Sequence, residues 1–395
     1  MWSGFEKKLI TLGIFIDYTK AFDLINHELL LLKLEHYGVR GIPLELVRSY
    51  LRHRQQYVTI NNQHSNILPI KTGVPQGSIL GPLLFIVYPI KTGVPQGSIL
   101  GPLLFIVYIN DMFALSNDIK FIAYADDTSL FLQGKETNGL IKQMNEFLLV
   151  LHHWSTKNYL KINPTKSKAV VFHPKNKNAA NEIPIMLGTS AIVPSVKVKS
   201  LGVWFTSTMS WDEQVTYIIS KVSRAIGVIG RYRNTLPYKA KLIAYNSIIY
   251  PHFSYCHLVW GTATQTELNK LFVCQKKAIR HIANVPFRHP TQSLFPKFNV
   301  VKIADIYKYR LTKTYCMAVK QHNCTFLELT ALTSKETVHA LRHHEPYNCG
   351  SLRTNYGSQL ISYTLPTLLN SYAKRNINIE KMSYVSLKAL FIKSI

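Results

Sequence analysis

Three acids carry the first chemical signal in the sequence. Asp17 ends the apolar run LGIFID, and Asp126-Asp127 sits inside KFIAYADDTSLFLQ. A carboxylate at the end of a buried strand is costly unless it is paired or bound to metal. Two such strands side by side would bring the acids together, where mutual repulsion invites a divalent cation. Mg²⁺ (or Mn²⁺) prefers a few hard carboxylate oxygens plus substrate phosphates. Two ions so held can activate a hydroxyl and stabilise a leaving oxygen in an in-line displacement. The alternative is that Asp-Asp makes a hairpin turn and Asp17 caps a helix.

The elements that must position these acids follow from the pattern. Leu12 to Asp17 reads as a buried strand, and Lys120 to Gln133 as two alternating strands around the Asp pair, a β-hairpin. Asn26 can cap a helix over HELLLLKLEHYG that stops at Gly38. A second helix over LELVRSYLRHR leads to a strand, QYVTINN. Helix returns from Gly139 to about Trp154, then a strand at Lys168 to Phe172, and VKVKSLGVWF is extended near residue 205. Residues 212–285 have helical periodicity with repeated Lys and Arg, as in RAIGVIGRYR and CQKKAIRHIA. Residues 300–395 are helical in places without a sharp motif. Boundaries are expected near residues 205 and 300.

Residues 69–88 and 89–108 are the same twenty letters, PIKTGVPQGSILGPLLFIVY. Two identical copies are too few for a solenoid, which needs about three diverged units. The helix of the first copy runs into Pro89, which disfavours helix at Tyr88. That of the second continues through Ile109-Asn110-Asp111. The second copy is therefore expected to hold the native helix and the first to be displaced.

Composition bounds the partners. Lys and Arg total 46 against 21 Asp and Glu, a formal charge of +25. An excess this large predicts a polyanionic partner, with nucleic acid ahead of an anionic membrane surface. Hydrophobic residues are 47% of the 395, which excludes a disordered chain. Five cysteines, an odd number, argue against a disulfide framework and for a reducing compartment. No opening signal peptide is visible, and the longest apolar stretch, Ile79 to Ile90, is broken by Gly81, Pro82 and Pro89. The chain reads as soluble and intracellular. Cys316, His322, Cys324, His343, His344 and Cys349 miss the common zinc spacings and read as ordinary buried Cys and surface His.

FIDYTKAFD, GVPQGSILGPLLF, YADD, LKINPTKSK and VKSLGVWF occur in the order found in reverse transcriptases, and resemble most those of jockey-like non-LTR retrotransposons. The resemblance implies an α+β fold: a right-hand polymerase palm, an antiparallel sheet with helices, over residues 1–205, then a basic helical thumb over 206–300 and a helical C-terminal region over 301–395. It implies RNA-directed DNA synthesis on an RNA template from a DNA primer with dNTPs, using two Mg²⁺ or Mn²⁺ ions. Asp17, Asp126 and Asp127 would hold the metal. Phe22 would be the aromatic gate against a ribose 2′-OH, though a packed core ring is the competing reading. Gly93, Pro95, Gln96 and Gly97, or the twin carrying Gln76, would touch template and nucleotide, where a plain turn would also fit. Lys166 would face the triphosphate, and Tyr124 would let a primer end approach. Only some eleven residues precede the Asp17 strand, so most of the fingers would be missing and the chain would be a fragment. Two other readings stay open: a remnant that binds nucleic acid without catalysis, and an intron-maturase or telomerase-like polymerase. Nuclear residence would suit an element priming on chromosomal DNA.

Overall fold

The computed structural model describes all residues except 53, 62, 71, 75–99, 178–182, 336–344 and 393–395. The chain divides into two compact units, Ile10–Leu201 and Met1–Leu9 together with Gly202–Ile395. Residues 206–300 and 301–395 fall in one unit, so no division at residue 300 accompanies the one near 201.

The first unit is built on a four-stranded antiparallel sheet. Its strands are β1 (Ile10–Ile16), β6 (Lys120–Tyr124), β7 (Asp127–Gly134) and β8 (Lys168–Phe172), in the order β6-β7-β1-β8. Ile14 lies opposite Leu130 and Ala169, and Leu12 opposite Leu132 and Val171. Directly opposed residues of an antiparallel pair point to the same face, so these side chains form one apolar layer. The amphipathic helix Thr137–Lys157 covers that layer with Leu140, Ile141, Met144, Leu148 and Leu151, all buried. Each such aliphatic residue contributes about 1.5–3 kcal/mol on burial, and together they fix which sheet face is inside. On the other face Gly13 makes room for rings: a Cβ there would stand 2.9 Å from Phe172 and 3.1 Å from Phe131.

Between β1 and β6 lie the helices His27–His36 and Ile42–Leu51. The side chain of Asn26 accepts from the Leu29 N–H at 3.0 Å, capping the first. The expected single strand over QYVTINN is instead two short pieces, β2 (Gln55–Gln56) and β3 (Thr59–Ile60), which pair with β5 (Leu68–Pro69) and β4 (Gln63–His64) respectively. All eight residues are exposed, and without a buried face nothing specifies one long register.

The duplication is divided between two docked ends. Pro69 pairs with Gln55, and the N–H groups of Gly73 and Val74 donate to the Ile25 and Phe22 carbonyls at 2.8 and 2.9 Å. The second copy supplies the helix Leu100–Ile109, whose Leu104, Phe105 and Tyr108 are buried. Lys33 selects this copy: its Nζ donates to the Tyr108 carbonyl at 2.6 Å and to the Asp111 carboxylate at 2.8 Å. Asp111 follows the second copy, whereas Pro89 follows the first. The expectation for the helix therefore agrees with the structure. The expectation that the first copy is displaced needs correction at Pro69, Gly73 and Val74, which the strand pairing and the Ile25 and Phe22 carbonyls hold in place; residues 71 and 75–88 of that copy lie outside the described residues.

In the second unit, the strand Val203–Thr206 leads to the helix Asp212–Arg231, which packs against Gln265–Ala283. Gln275, fully buried, donates to the Tyr245 hydroxyl at 3.0 Å and to the Val301 carbonyl at 2.9 Å, and accepts from the Ile303 N–H. One satisfied amide thus joins three segments across residue 300. The first helix of the chain, Trp2–Glu6, belongs here: Trp2 stacks on Tyr356 at 5.5 Å, and the Glu6 carboxylate accepts from the Arg353 N–H and the Thr354 hydroxyl. Those two bonds hold the Glu6 carboxyl below its ordinary value. Cys316 is buried and its thiol faces the Ile379 carbonyl, while Cys324 and Cys349 are exposed; His343 and His344 lie outside the described residues. No described helix is long and apolar enough to cross a membrane.

Candidate active site

Asp126 and Asp127 sit at the β6–β7 hairpin, where Tyr124 pairs with Asp127 across the two-residue loop Ala125-Asp126. Ala125 takes φ +52°, the left-handed start that a tight hairpin loop requires. Ile16 lies opposite Thr128, so continuing the register by one residue sets Asp17 opposite Asp127. The parity of the pleat then puts Asp17, Asp127 and Tyr124 on the face opposite the covering helix. Tyr124 is 69% exposed there, a flat ring beside the acids.

The electrostatics agree with the placement. Partial burial pushes the Asp127 carboxyl above its ordinary value, and the charges of Asp126 and Asp17 push it further in the same direction. Like charges that close raise the cost of ionising one another. None of the three has an ion-pair partner among the described residues, although the chain carries more than two cations per acid. Among the described residues no three His, Cys, Asp or Glu side chains are gathered closely enough to hold a metal ion. The strand register brings the strand ends together, while the three carboxylates do not themselves form a metal-holding cluster among the described residues. The donor set fits a hard divalent cation: three carboxylates, uncompensated, on one open end of a sheet.

The backbone of Asp17 is held by a loop that sequence reasoning read only for its lysine. Ser167 Oγ accepts from the Asp17 N–H at 3.1 Å and donates to the Asn163 carbonyl at 2.8 Å. The Asn163 N–H in turn donates to the Asp17 carbonyl at 2.8 Å. Asn163 Oδ1 also accepts from the Thr165 N–H at 3.2 Å, closing an Asx turn, and from the Thr165 hydroxyl at 2.7 Å. Ser167 and Asn163 are thus positioning residues, and the signal that could have found them is the Asn-Pro-Thr turn motif ahead of a Ser. Lys166 projects from this loop and is exposed.

Phe22 is half-buried, its ring 4.7 Å from that of Phe105. It lies on the segment that receives the first copy's Gly73, where φ is +89° and a Cβ would stand 2.9 Å from the Asp23 Cα. His27 Nε2 lies 2.8 Å from the Gly73 carbonyl, a further tie on that turn. Gln76, Gly93, Pro95, Gln96 and Gly97 lie outside the described residues.

An antiparallel sheet covered by a helix on one face, with acids and an open aromatic at one end of the other, has the architecture of a right-hand polymerase palm. The family described as reverse transcriptase (RNA-dependent DNA polymerase) matches residues 4–89 and again 86–205; the chain belongs to it. The chain is 29% identical over 308 residues to the RNA-directed DNA polymerase from mobile element jockey of Drosophila melanogaster, covering 76% of this chain and 31% of that one. It is 24% identical to the probable RNA-directed DNA polymerase from transposon BS of the same organism, over 81% of this chain and 34% of that one. The chain is thus similar to RNA-directed DNA polymerases of mobile elements. The chain spans about a third of the length of the curated relatives it matches. Among solved structures, apo telomerase from Candida tropicalis is similar with a TM-score of 0.40 at 12% identity, covering 81% of this chain and 52% of that one.

Proposed function

We propose that the chain carries the catalytic palm of an RNA-directed DNA polymerase that extends a DNA primer on an RNA template with dNTPs. The observation that carries this reading is the trio Asp17, Asp126 and Asp127 at one sheet end, without cation partners in a chain of charge +25. Asp17, Asp126 and Asp127 would hold two Mg²⁺ or Mn²⁺ ions, which supply activation of the primer 3′-OH and charge neutralisation at the α-phosphate. Ser167 and Asn163 fix the backbone from which Asp17 reaches the site. Tyr124 offers the primer end a flat, exposed surface. Phe22, braced by Phe105, would exclude a ribose 2′-OH, and Lys166 would neutralise or protonate the departing pyrophosphate. Gln96 with Gly93, Pro95 and Gly97, or Gln76 in the twin copy, would contact template and nucleotide.

Primer extension on poly(A)/oligo(dT) with Mg²⁺ tests the proposal. Template-dependent incorporation that Asp126→Ala abolishes is the expected result. The binding-only reading draws on the three carboxylates' not forming a metal-holding cluster among the described residues. Retention of template and primer with no incorporation at any Mg²⁺ or Mn²⁺ concentration would favour it.

A further inference from the structure

The second unit contains a cavity of about 400 Å³ between Tyr245–Tyr250, Asn299–Val301, the helix Ile303–Gln321 and the helix Tyr384–Ile392. Three cations line it, Arg310, Lys313 and Lys388, together with Tyr245, Tyr250 and Tyr309. No carboxylate is among its lining residues. Of the acids on neighbouring segments, Glu380 accepts from the Tyr315 hydroxyl at 3.0 Å, and burial pushes the Asp305 carboxyl above its ordinary value against the pull of Lys308 and Lys302. Arg310 and Lys388 have no hydrogen-bond or ion-pair partner among the described residues, while Lys313 lies over the Tyr384 ring at 5.4 Å. All three cations are half-buried.

Three cations drawn together in a partly desolvated hollow repel one another, and an anion relieves that cost. The chemistry of the lining adds a second requirement. Tyr250 is half-buried beside Arg310, and a tyrosine face and a guanidinium plane both stack on a nucleobase. Asn246 and Asn299 are exposed at the rim and can each donate and accept. The volume suits one nucleotide and is too small for a duplex.

We infer that this cavity binds one nucleotide of a single-stranded nucleic acid, its phosphate on Arg310, Lys313 and Lys388 and its base against the tyrosines. The cavity is built from residues of the second unit alone and needs no divalent ion, so its test is independent of catalysis. The occupant is a strand; a free nucleotide offers the same phosphate and base, and the experiment separates the two.

Binding of a fluorescent single-stranded oligothymidylate to the full chain is followed by anisotropy in EDTA. The triple variant Arg310→Gln/Lys313→Gln/Lys388→Gln is compared with Lys239→Gln/Lys297→Gln/Lys320→Gln, three exposed cations of the same unit outside the cavity. The cavity variant should weaken binding at least about tenfold and reduce the slope of log K against log salt by about 0.7, one phosphate at the single-strand coefficient. The control should weaken it less than about threefold. A charge-conserving Arg310→Lys/Lys388→Arg variant should keep affinity near that of the unaltered chain, which separates lost charge from lost fold. Tyr250→Leu should weaken the oligonucleotide and leave competition by inorganic phosphate unchanged. Equal losses in the cavity and control triples, or no loss in the cavity triple, overturn the site. Displacement of the strand by thymidine monophosphate at concentrations equal to those of the oligonucleotide overturns the strand as its occupant.

Discussion

At the residue scale, Asp127 is where the electrostatics of the palm are most legible. Its carboxyl is raised by burial first, then by Asp126 and Asp17. A raised acid binds its proton more tightly in the fold than in the unfolded chain. Stability therefore falls as pH rises from the ordinary carboxylate value through the raised one, and stays lower above it. Asp127→Asn removes that penalty. The variant should melt at a higher temperature than the unaltered chain at neutral pH in EDTA, and the difference should vanish at a pH below the ordinary carboxylate value. Saturating Mg²⁺ should narrow the difference from the other side, because an ion that binds only the folded state stabilises it by mass action. Equal melting curves at both pH values would mean that Asp127 does not feel its neighbours. The acids themselves stood out in the sequence because charge at the end of an apolar run is conspicuous. Ser167 and Asn163 did not, since a hydroxyl and an amide in a polar loop look alike whether they face water or the Asp17 backbone.

At the element scale, the β1 and β6–β7 strands and the covering helix were readable, because each alternates or repeats with its own period and has a buried face to enforce it. The QYVTINN segment was not, since β-branched composition without a buried face leaves the register free. The duplication was half readable. Pro89 marks the first copy's helix as the weaker candidate, but nothing in the letters shows that Gly73 of that copy approaches the Asp23 backbone to within a Cβ's radius. Gly73→Ala should therefore destabilise the Ile10–Leu201 unit by roughly 2 kcal/mol, from the positive φ and the close Asp23 Cα together. Gly139→Ala, where nothing lies within 4 Å of the added Cβ, should be neutral or stabilising in the same urea titration. Twenty-five residues, 75–99, separate the docked Val74 from Leu100, where a single copy would leave five. Any deletion of one repeat yields the same sequence. Closure entropy scales with the logarithm of loop length, so that deletion should raise stability by about 1.4 kcal/mol. Loss of cooperative unfolding on deletion would show instead that the surplus residues carry contacts the fold requires.

At the scale of the whole molecule, the charge is the property to test, because +25 is unbalanced by any acidic segment. The second unit concentrates cations on helices whose opposite faces are buried: Lys276, Lys277 and Arg280 share the helix Gln265–Ala283 with buried Leu271, Gln275, Ala278, Ile279 and Ile282. A helix anchored on one side and cationic on the other presents its charge along a line, which suits a regular phosphate backbone better than a point ligand. Each phosphate neutralised releases condensed counterions, so affinity must fall with salt in proportion to the contacts made. An RNA–DNA hybrid bound through six or more phosphates should lose roughly a thousandfold in affinity between 50 and 200 mM salt. Neutralising Lys276, Lys277 and Arg280 should reduce the slope by about 3 at most, while leaving the far-ultraviolet circular dichroism unchanged. Filter binding across a salt series measures both quantities. A flat salt response, or anionic phosphatidylserine vesicles retained as strongly as the hybrid, would show that the excess charge is general surface chemistry and that no backbone is tracked.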